Sequence, residues 1–252
     1  MTFAAPTPRT LYIHDDLSDI VGACGKASSA ARLGRALLAR LSAEPSRIVL
    51  RTVAQEIDAL IARGGHAPFA VAVGIGGAGA RGAARIHERT GWFPAIQRVD
   101  LWREEQDDGK YVLQGADTLS GRLGALAGVT ALAIVDDTIF SGFTIRAVLD
   151  ALPSRLRPRT RVFALRAVAE SLEAVATLVP VTAGIAALGR MLTDVSIIKA
   201  SGLVRRGAIR RAGRPPLAFF ERAEWMAAWF PADHAEVTAL CRDLCAALET
   251  ET

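Results

Sequence analysis

The chain has 252 residues, of which 51% are hydrophobic and 22% are charged, and its formal net charge is +4. This composition is typical of a globular protein and excludes an intrinsically disordered chain, while the length allows one large α/β domain or two small ones. No apolar run is long enough to span a bilayer, and Met1–Thr10 lacks a basic segment followed by an apolar core, so we expect a cytoplasmic protein without a membrane partner.

The N-terminal third of the chain predicts two strands and two helices. Residues 9–13 are a candidate for a short strand. Apolar side chains recur three and four positions apart in residues 27–41 and 52–63, which predicts two amphipathic helices. Residues 69–73 form a continuous apolar run, which predicts a strand that is buried on both faces.

A glycine-rich segment follows that buried strand directly, and a helix is predicted after it. Gly74, Gly76 and Gly79 fit the Gly-x-Gly-x-x-Gly fingerprint of dinucleotide-binding proteins. Asp100 lies 21 residues after Gly79, near the position of an acid that would bind the ribose of the dinucleotide. One interpretation is therefore an NAD(P)-binding oxidoreductase that uses Gly74–Gly79.

The middle of the chain predicts further strands around a polar segment. Residues 95–101 are a strand candidate, and the polar residues 103–111 are typical of a hairpin tip or a mobile loop. Residues 162–168 and 179–187 predict two more strands. Strands that alternate with helices predict an α/β fold, in which a mainly parallel sheet is doubly wound with helices on both faces.

The most informative stretch lies between residues 131 and 145. Residues 131–135 are an apolar strand candidate that ends at two carboxylates, Asp136 and Asp137. A hydroxyl-rich loop at 138–142 leads into a helix that Thr144 opens, and a helix N-terminus favours a phosphate. Carboxylates accept hydrogen bonds from ribose hydroxyls, directly or through Mg2+. The stretch therefore predicts a ribose 5-phosphate site at the carboxyl edge of the sheet.

A family resemblance rests on ten of these residues, which read Val-Asp-Asp-Thr-Ile-Phe-Ser-Gly-Phe-Thr from Val135 to Thr144. They resemble the phosphoribosyl pyrophosphate (PRPP) signature of the type I phosphoribosyltransferases, which is a hydrophobic strand, two acids, a few variable residues and Thr/Ser-Gly-x-Thr. The resemblance implies transfer of ribose 5-phosphate from PRPP to a nitrogenous base or a related small acceptor, with release of pyrophosphate. It also implies Mg2+ as cofactor and a homodimer.

The resemblance assigns roles to individual residues. Asp136 and Asp137 would be the catalytic residues, binding the ribose hydroxyls and Mg2+ directly or indirectly, and Asp137 would be the better candidate for a base acting on the acceptor. The remaining PRPP-binding residues would be Thr138, Ile139, Phe140, Ser141, Gly142, Phe143 and Thr144. A pyrophosphate loop would consist of Gly74, Ile75, Gly76 and Gly77. In a flexible loop that closes over PRPP, Arg103 and Lys110 could reach phosphates.

The glycine segment departs from the family pattern in one respect. The family often has a basic residue early in its pyrophosphate loop, whereas here no Arg or Lys occurs in the segment before Arg81. The sequence therefore leaves open which side chain, if any, neutralises the pyrophosphate.

The C-terminal part of the chain changes character near residue 190. It contains an aromatic cluster made of Phe219, Phe220, Trp225, Met226, Trp229 and Phe230. Such a stripe usually packs in a core, but in the resembling family a variable hood subdomain binds the acceptor base. We expect an α/β core at 1–190 and a C-terminal hood at 191–252. Because both chain ends often build the hood in that family, residues 1–45 are candidates to join it.

Arginines are concentrated in two stretches of the chain, residues 155–161 and 205–214. A nucleic acid, a polyanionic small substrate or a solvated surface would each explain them. Aromatic residues are not interleaved with the arginines and no nucleic-acid motif is present, so nucleic acid is not the favoured partner.

The cysteines predict no metal site. Cys241 and Cys245 are four residues apart and share a helix face, while Cys24 is far from both in sequence. Only His234 could add a nearby ligand, which is too few for zinc. Buried or half-buried thiols are expected instead.

Three other functions compete with the transferase interpretation. One is a non-catalytic PRPP-sensing regulator on the same fold, which would bind nucleic acid through the arginine-rich segment. Another is the NAD(P)-binding oxidoreductase that uses Gly74–Gly79. The third is a phosphorylase or hydrolase that uses the same ribose-phosphate pocket in reverse.

Overall fold

The computed structural model describes residues 5–64 and 68–251, so the first four residues of the N-terminal stretch considered above lie outside the described residues. Its strands are β1 (Thr10–Asp15), β2 (Ile48–Thr52), β3 (Val71–Ile75), β4 (Ile96–Val99), β5 (Trp102–Glu105), β6 (Tyr111–Gln114), β7 (Leu132–Ile139), β8 (Thr160–Val168), β9 (Val181–Ala187), β10 (Val195–Lys199), β11 (Ile209–Arg211) and β12 (Arg214–Leu217). Its α-helices are α1 (Leu17–Ala23), α2 (Ser29–Leu41), α3 (Val53–Ala62), α4 (Gly76–Thr90), α5 (Leu119–Gly124), α6 (Phe143–Ala151), α7 (Ala169–Ala176), α8 (Ala200–Val204), α9 (Ala223–Trp229) and α10 (His234–Glu251). Among the described helices, none is both long and apolar enough to cross a membrane.

The chain divides into two compact units. The terminal unit comprises the described parts of Met1–Val53, Glu105–Asp108 and Arg190–Thr252. The central unit comprises the described parts of Ala54–Glu104 and Gly109–Gly189. Both ends of the chain therefore contribute to the terminal unit, while the glycine segment and the twin acids lie in the central unit.

The central unit is built on a five-stranded sheet in the order β4-β3-β7-β8-β9. All four pairings in this sheet are parallel. Side chains from one face, such as Ile134 and Val162, share a core with α5, α6 and α7. From the other face, Val135 and Leu165 lie beside Gly82 of α4. Helices thus cover both faces, which confirms the predicted α/β fold with a mainly parallel sheet.

Two differences from the predicted element boundaries affect the residues of the predicted site. The strand predicted to end at Val135 continues to Ile139, so Asp136 and Asp137 lie within β7. It continues because β8 extends alongside it and pairs with Asp136, Thr138 and Ile139. The structure has no glycine loop, because Gly74 and Ile75 are the last residues of β3 and Gly76 and Gly77 are the first of α4. Tertiary packing overrides the poor helix propensity of glycine here.

The terminal unit contains a smaller parallel sheet in the order β10-β1-β2. Helices α2 and α10 pack over its core together with residues of the aromatic cluster. Phe220, Met226, Trp229 and Phe230 are all buried there. The expectation that this cluster packs in a core is therefore confirmed. Its further role as a hood for the acceptor base stays a prediction.

Burial makes the thiol of Cys241 a source of pH-dependent stability. Desolvation raises its pKa from the ordinary value of 9.0 to about 12. Above pH 9 the unfolded chain loses this proton while the folded protein keeps it. Its contribution to stability is therefore complete below pH 9 and falls by up to about 1.4 kcal/mol per pH unit until about pH 12.

We therefore expect the stability difference between the wild-type protein and Cys241→Ala to shrink as the pH rises from 9 to 11. Thermal unfolding of both proteins at intervals between pH 7 and 11 measures this difference, and groups common to both proteins cancel in it. A difference that stays constant through pH 11 would contradict the assignment.

Candidate functional site

The central sheet reverses its strand order between β3 and β7. From β3, the chain passes to β4 on one side, whereas β7, β8 and β9 follow one another on the other side. In doubly wound sheets, ligands bind outside the carboxyl ends of the strands at such a switch point. The segments that follow β3 and β7 are the glycine segment and the acid-containing signature. The fold therefore brings the two predicted motifs to neighbouring strands.

Glycines hold these two motifs in direct contact. A Cβ atom added to Gly79 would lie closer than 3.0 Å to the carbonyl oxygen of Val135 and 3.4 Å from the Cα of Asp136. A Cβ atom on Gly74 would lie 2.5 Å from the Cα of Ala80. Real Cβ atoms essentially never approach other atoms this closely. The absence of a side chain at Gly79 therefore lets α4 lie directly on the backbone of β7, and its absence at Gly74 lets the same helix lie directly on β3.

The two acids of β7 are largely buried at this edge, with exposed fractions of 7% for Asp136 and 15% for the side chain of Asp137. Oδ1 of Asp136 accepts a 2.9 Å hydrogen bond from the backbone N–H of Asp137. Oδ2 of Asp137 accepts hydrogen bonds from Arg166, at 3.1 Å, and from the hydroxyl of Thr138, at 3.2 Å. The acids are thus held by specific bonds and not simply solvated.

A buried ion pair lies behind Asp137. Arg166 of β8 is 2% exposed, and one of its terminal nitrogens lies 2.8 Å from Oε2 of Glu56, which is fully buried on α3. Its other terminal nitrogen holds Asp137. The sequence does not predict this pair. The one available signal was a single arginine inside the otherwise apolar strand at 162–168.

The turn after β7 leads into α6 through a backbone conformation that favours glycine. Gly142 has a φ of 72° and caps the helix that begins at Phe143. The hydroxyl of Ser171 on α7 donates a 2.6 Å hydrogen bond to the carbonyl oxygen of Phe140, which fixes the turn. The hydroxyl of Ser141 accepts a 3.4 Å hydrogen bond from the N–H of Phe143. The N-terminus of a nine-residue helix thus follows the acids, as an anion site would require.

Two arginines lie beside the start of α4. A Cβ atom on Gly77 would lie 3.1 Å from a terminal nitrogen of Arg81 and 3.7 Å from one of Arg98. Arg81 belongs to α4, and Arg98 lies on β4, where its Nε donates a 2.6 Å hydrogen bond to Asp100. The glycine segment therefore acquires positive charge from later in the sequence and from the neighbouring strand.

The two residues of the predicted flexible loop lie at either end of a polar segment. Arg103 is on β5, and Lys110 directly precedes β6, the strand that neighbours β5. Both side chains are exposed. The segment between them, Glu105–Asp108, belongs to the terminal unit. Closure of this loop over a phosphate stays a prediction.

The arginine-rich C-terminal stretch is occupied largely by interactions within the terminal unit. Arg206 bonds Glu221 at 3.1 Å and Glu249 at 2.6 Å, and these carboxylates raise its pKa. Arg211 donates to the carbonyl oxygen of Pro215, at 2.6 Å through a terminal nitrogen, and Arg214 pairs with Asp107 at 2.7 Å. Arg206, Arg211 and Arg214 thus have partners within the terminal unit, and the absence of a nucleic-acid partner stays a prediction.

The twin acids fit a metal ion only in part. Carboxylate oxygens suit a hard cation, but no group of three or more His, Cys, Asp or Glu residues in the described chain could hold a metal by itself. Mg2+ is commonly bound through one or two carboxylates together with substrate phosphates and water. Asp136 and Asp137 therefore fit an ion that arrives with a phosphorylated ligand.

No protein-family model matches the sequence, and no curated protein matches it significantly. A purine phosphoribosyltransferase from Pyrococcus horikoshii is similar in structure, with 16% identity over 57% of this chain and 87% of that chain and a TM-score of 0.37. The protein TT1426 from Thermus thermophilus has 18% identity over 54% of this chain and 81% of that chain, with a TM-score of 0.34. Likeness at this level carries no functional argument, and the α/β assignment rests on the strand pairing described above.

Proposed function

We propose that this chain is a phosphoribosyltransferase, which transfers ribose 5-phosphate from PRPP to a nitrogenous base or a related small acceptor and releases pyrophosphate. The observation that carries the proposal is the contact of Gly79 with Val135 and Asp136 at the switch point. This contact brings the glycine-rich start of α4 next to β7, which carries the two acids and leads into the start of α6. A ribose with phosphate groups at both ends would place one phosphate on each helix start and its hydroxyls on the acids.

Each segment has a distinct role in this proposal. The N-terminus of α6, with Ser141, Gly142 and Thr144, binds the 5′-phosphate through N–H and hydroxyl groups. Asp136 and Asp137 accept hydrogen bonds from the ribose hydroxyls. The start of α4 binds the pyrophosphate, and the guanidinium group of Arg81 beside it neutralises the growing negative charge of this leaving group.

Asp136 and Asp137 would hold Mg2+ together with the phosphorylated ligand, and the positive charge of the ion would make pyrophosphate a better leaving group. The residues of this chain bind and orient the sugar, so that an acceptor nitrogen can approach the first carbon of the ribose from the side opposite to pyrophosphate. Asp137 is the proposed base that takes a proton from the acceptor.

The direct test measures pyrophosphate released by the purified protein from PRPP and Mg2+ with a panel of purines, pyrimidines and small acidic rings. We expect at least one acceptor to give turnover well above the rate without acceptor. If no acceptor gives turnover, calorimetry with PRPP shows whether the protein still binds PRPP. Binding without turnover on any acceptor would favour the PRPP-sensing regulator, and absence of binding would overturn the proposed site.

One observation favours a dinucleotide instead. Asp100 follows β4, the parallel neighbour of β3, where an acid that binds the ribose of a dinucleotide would lie. However, Asp100 is held by Arg98, and this interpretation leaves the signature in β7 unused. Titration with NADH and NADPH decides between a dinucleotide site and a PRPP site, because a bound dinucleotide changes its fluorescence. We expect no change.

The resemblance also supports a homodimer as the proposed assembly. Light scattering coupled to size-exclusion chromatography measures the mass directly. A mass near 53 kDa, about twice that of the 26.7 kDa chain, is expected.

A further inference from the structure

We infer that Arg166 is a positioning residue for Asp137 and that Glu56 anchors Arg166. This inference rests on the proposed function, because it concerns how the ribose-binding acid is oriented. The geometry that carries it is a chain of two ion pairs within the central unit, from Glu56 to Arg166 at 2.8 Å and from Arg166 to Asp137 at 3.1 Å.

Burial distinguishes this chain of charges from a surface ion pair. The side chain of Glu56 is fully buried, that of Arg166 is 2% exposed, and that of Asp137 is 15% exposed. Removing two charges from water is costly, and a buried ion pair is often no more stabilising than apolar side chains of similar volume. Stability alone therefore gives little reason for an arginine and a glutamate here, whereas a fixed direction for Asp137 does.

The anchor is itself rigid. A Cβ atom on Gly184 of β9 would lie closer than 3.0 Å to the backbone carbonyl oxygens of both Glu56 and Leu165. Helix α3 at Glu56 is therefore packed directly on the backbone of the sheet beside β8. Glu56 cannot shift without moving the strands, so it provides a fixed point for the guanidinium group.

The planar guanidinium group transmits this position. Its two terminal nitrogens hold different carboxylates, so the direction of one bond fixes that of the other. Both the arginine and Thr138 donate to the same oxygen of Asp137, Oδ2. The carboxylate is thus held in one rotamer before a ligand arrives, and ligand binding need not supply the cost of ordering it.

The test uses the neutral double variant Glu56→Gln with Arg166→Met, which removes both buried charges together. We expect it to fold, because neither Glu56 nor Arg166 is left as an unpaired buried charge, and Asp137, which loses its arginine, is partly exposed and keeps its hydrogen bond from Thr138. Calorimetry should show PRPP affinity reduced about tenfold or more. Affinity for inorganic pyrophosphate should stay within about twofold, because the start of α4 is unchanged.

A double-mutant cycle separates positioning from general damage. Asp137→Asn should reduce PRPP affinity less in the neutral background than in the wild type, because the acid is already misoriented there. If the effects of the neutral double variant and of Asp137→Asn on the free energy of PRPP binding are fully additive, the inference is overturned. A folded neutral variant that binds PRPP like the wild type would overturn it too, while leaving the proposed function intact.

A charge-conserving variant keeps the test decisive if the neutral variant does not fold. Arg166→Lys retains one buried cation but cannot hold two carboxylates through a planar fork. We expect it to lose PRPP affinity and keep pyrophosphate affinity, whereas unchanged PRPP affinity would overturn positioning by the guanidinium group. Failure of the wild-type protein to bind PRPP is a separate result, since it overturns the proposed function and this inference together.

Discussion

Replacing Asp136 and Asp137 together by asparagine is expected to abolish PRPP binding while the fold survives. A hydrogen bond to a charged group contributes about 1.5–3 kcal/mol, so two weakened bonds correspond to at least about a 100-fold loss of affinity. Asparagine has nearly the same volume as aspartate, and Arg166 keeps Glu56 as an ion-pair partner. The variant should therefore unfold at nearly the wild-type temperature.

Calorimetry with PRPP and Mg2+ measures the affinity, and circular dichroism checks the fold. Asp150→Asn is the matched control, because this carboxylate lies on α6 with a side chain that is 77% exposed and pairs with Arg157 on the surface. Its affinity for PRPP should equal that of the wild type. If the double variant binds PRPP as tightly as the control does, the acids do not bind the sugar.

The signature stretch shows what an apolar pattern can and cannot predict. The run of apolar residues correctly indicated a buried strand, because β7 is covered on both faces. The strand was predicted to end where apolarity ends, at Val135. Hydrogen bonding to a neighbouring strand is independent of side-chain polarity, however, and β8 carries the pairing on to Ile139. The acids therefore lie in the sheet, which gives them fixed directions.

The buried pair of Arg166 and Glu56 could not be predicted from spacing. The two residues are 110 positions apart, and they lie on different elements whose packing depends on the whole central unit. A lone arginine in an apolar strand indicates that some partner must exist, because an isolated buried charge is too costly. The partner itself is determined only by the fold.

The glycines of α4 were recognised as important but were assigned to a loop. Glycine is a poor helix former, so the sequence predicts a helix only after the glycine segment. The structure begins the helix at Gly76 because glycine is what permits the helix to approach β7. Close backbone approach is a property of the packed unit, and a sequence pattern indicates it only indirectly.

This close approach gives the second large expected effect, in the stability of Gly79→Ala. The added methyl group would overlap the carbonyl oxygen of Val135, which is backbone and cannot rotate away. Overpacking of this kind costs about 1–3 kcal/mol, and we expect a value near the upper end. The melting temperature should fall by about 6–12 °C, and PRPP affinity should fall as well, since α4 is pushed away from the acids.

Gly82→Ala is the matched control, three residues further along the same helix. A Cβ atom there would lie 3.8 Å from Cδ1 of Leu165 and 3.9 Å from Cγ1 of Val135, which are ordinary packing distances. Replacing a helical glycine by alanine should then stabilise the protein by up to about 1 kcal/mol. Thermal and urea unfolding of the two variants should therefore shift in opposite directions. Equal shifts would mean that α4 does not rest on the backbone of β7, and the two motifs would lose the contact on which the proposed site depends.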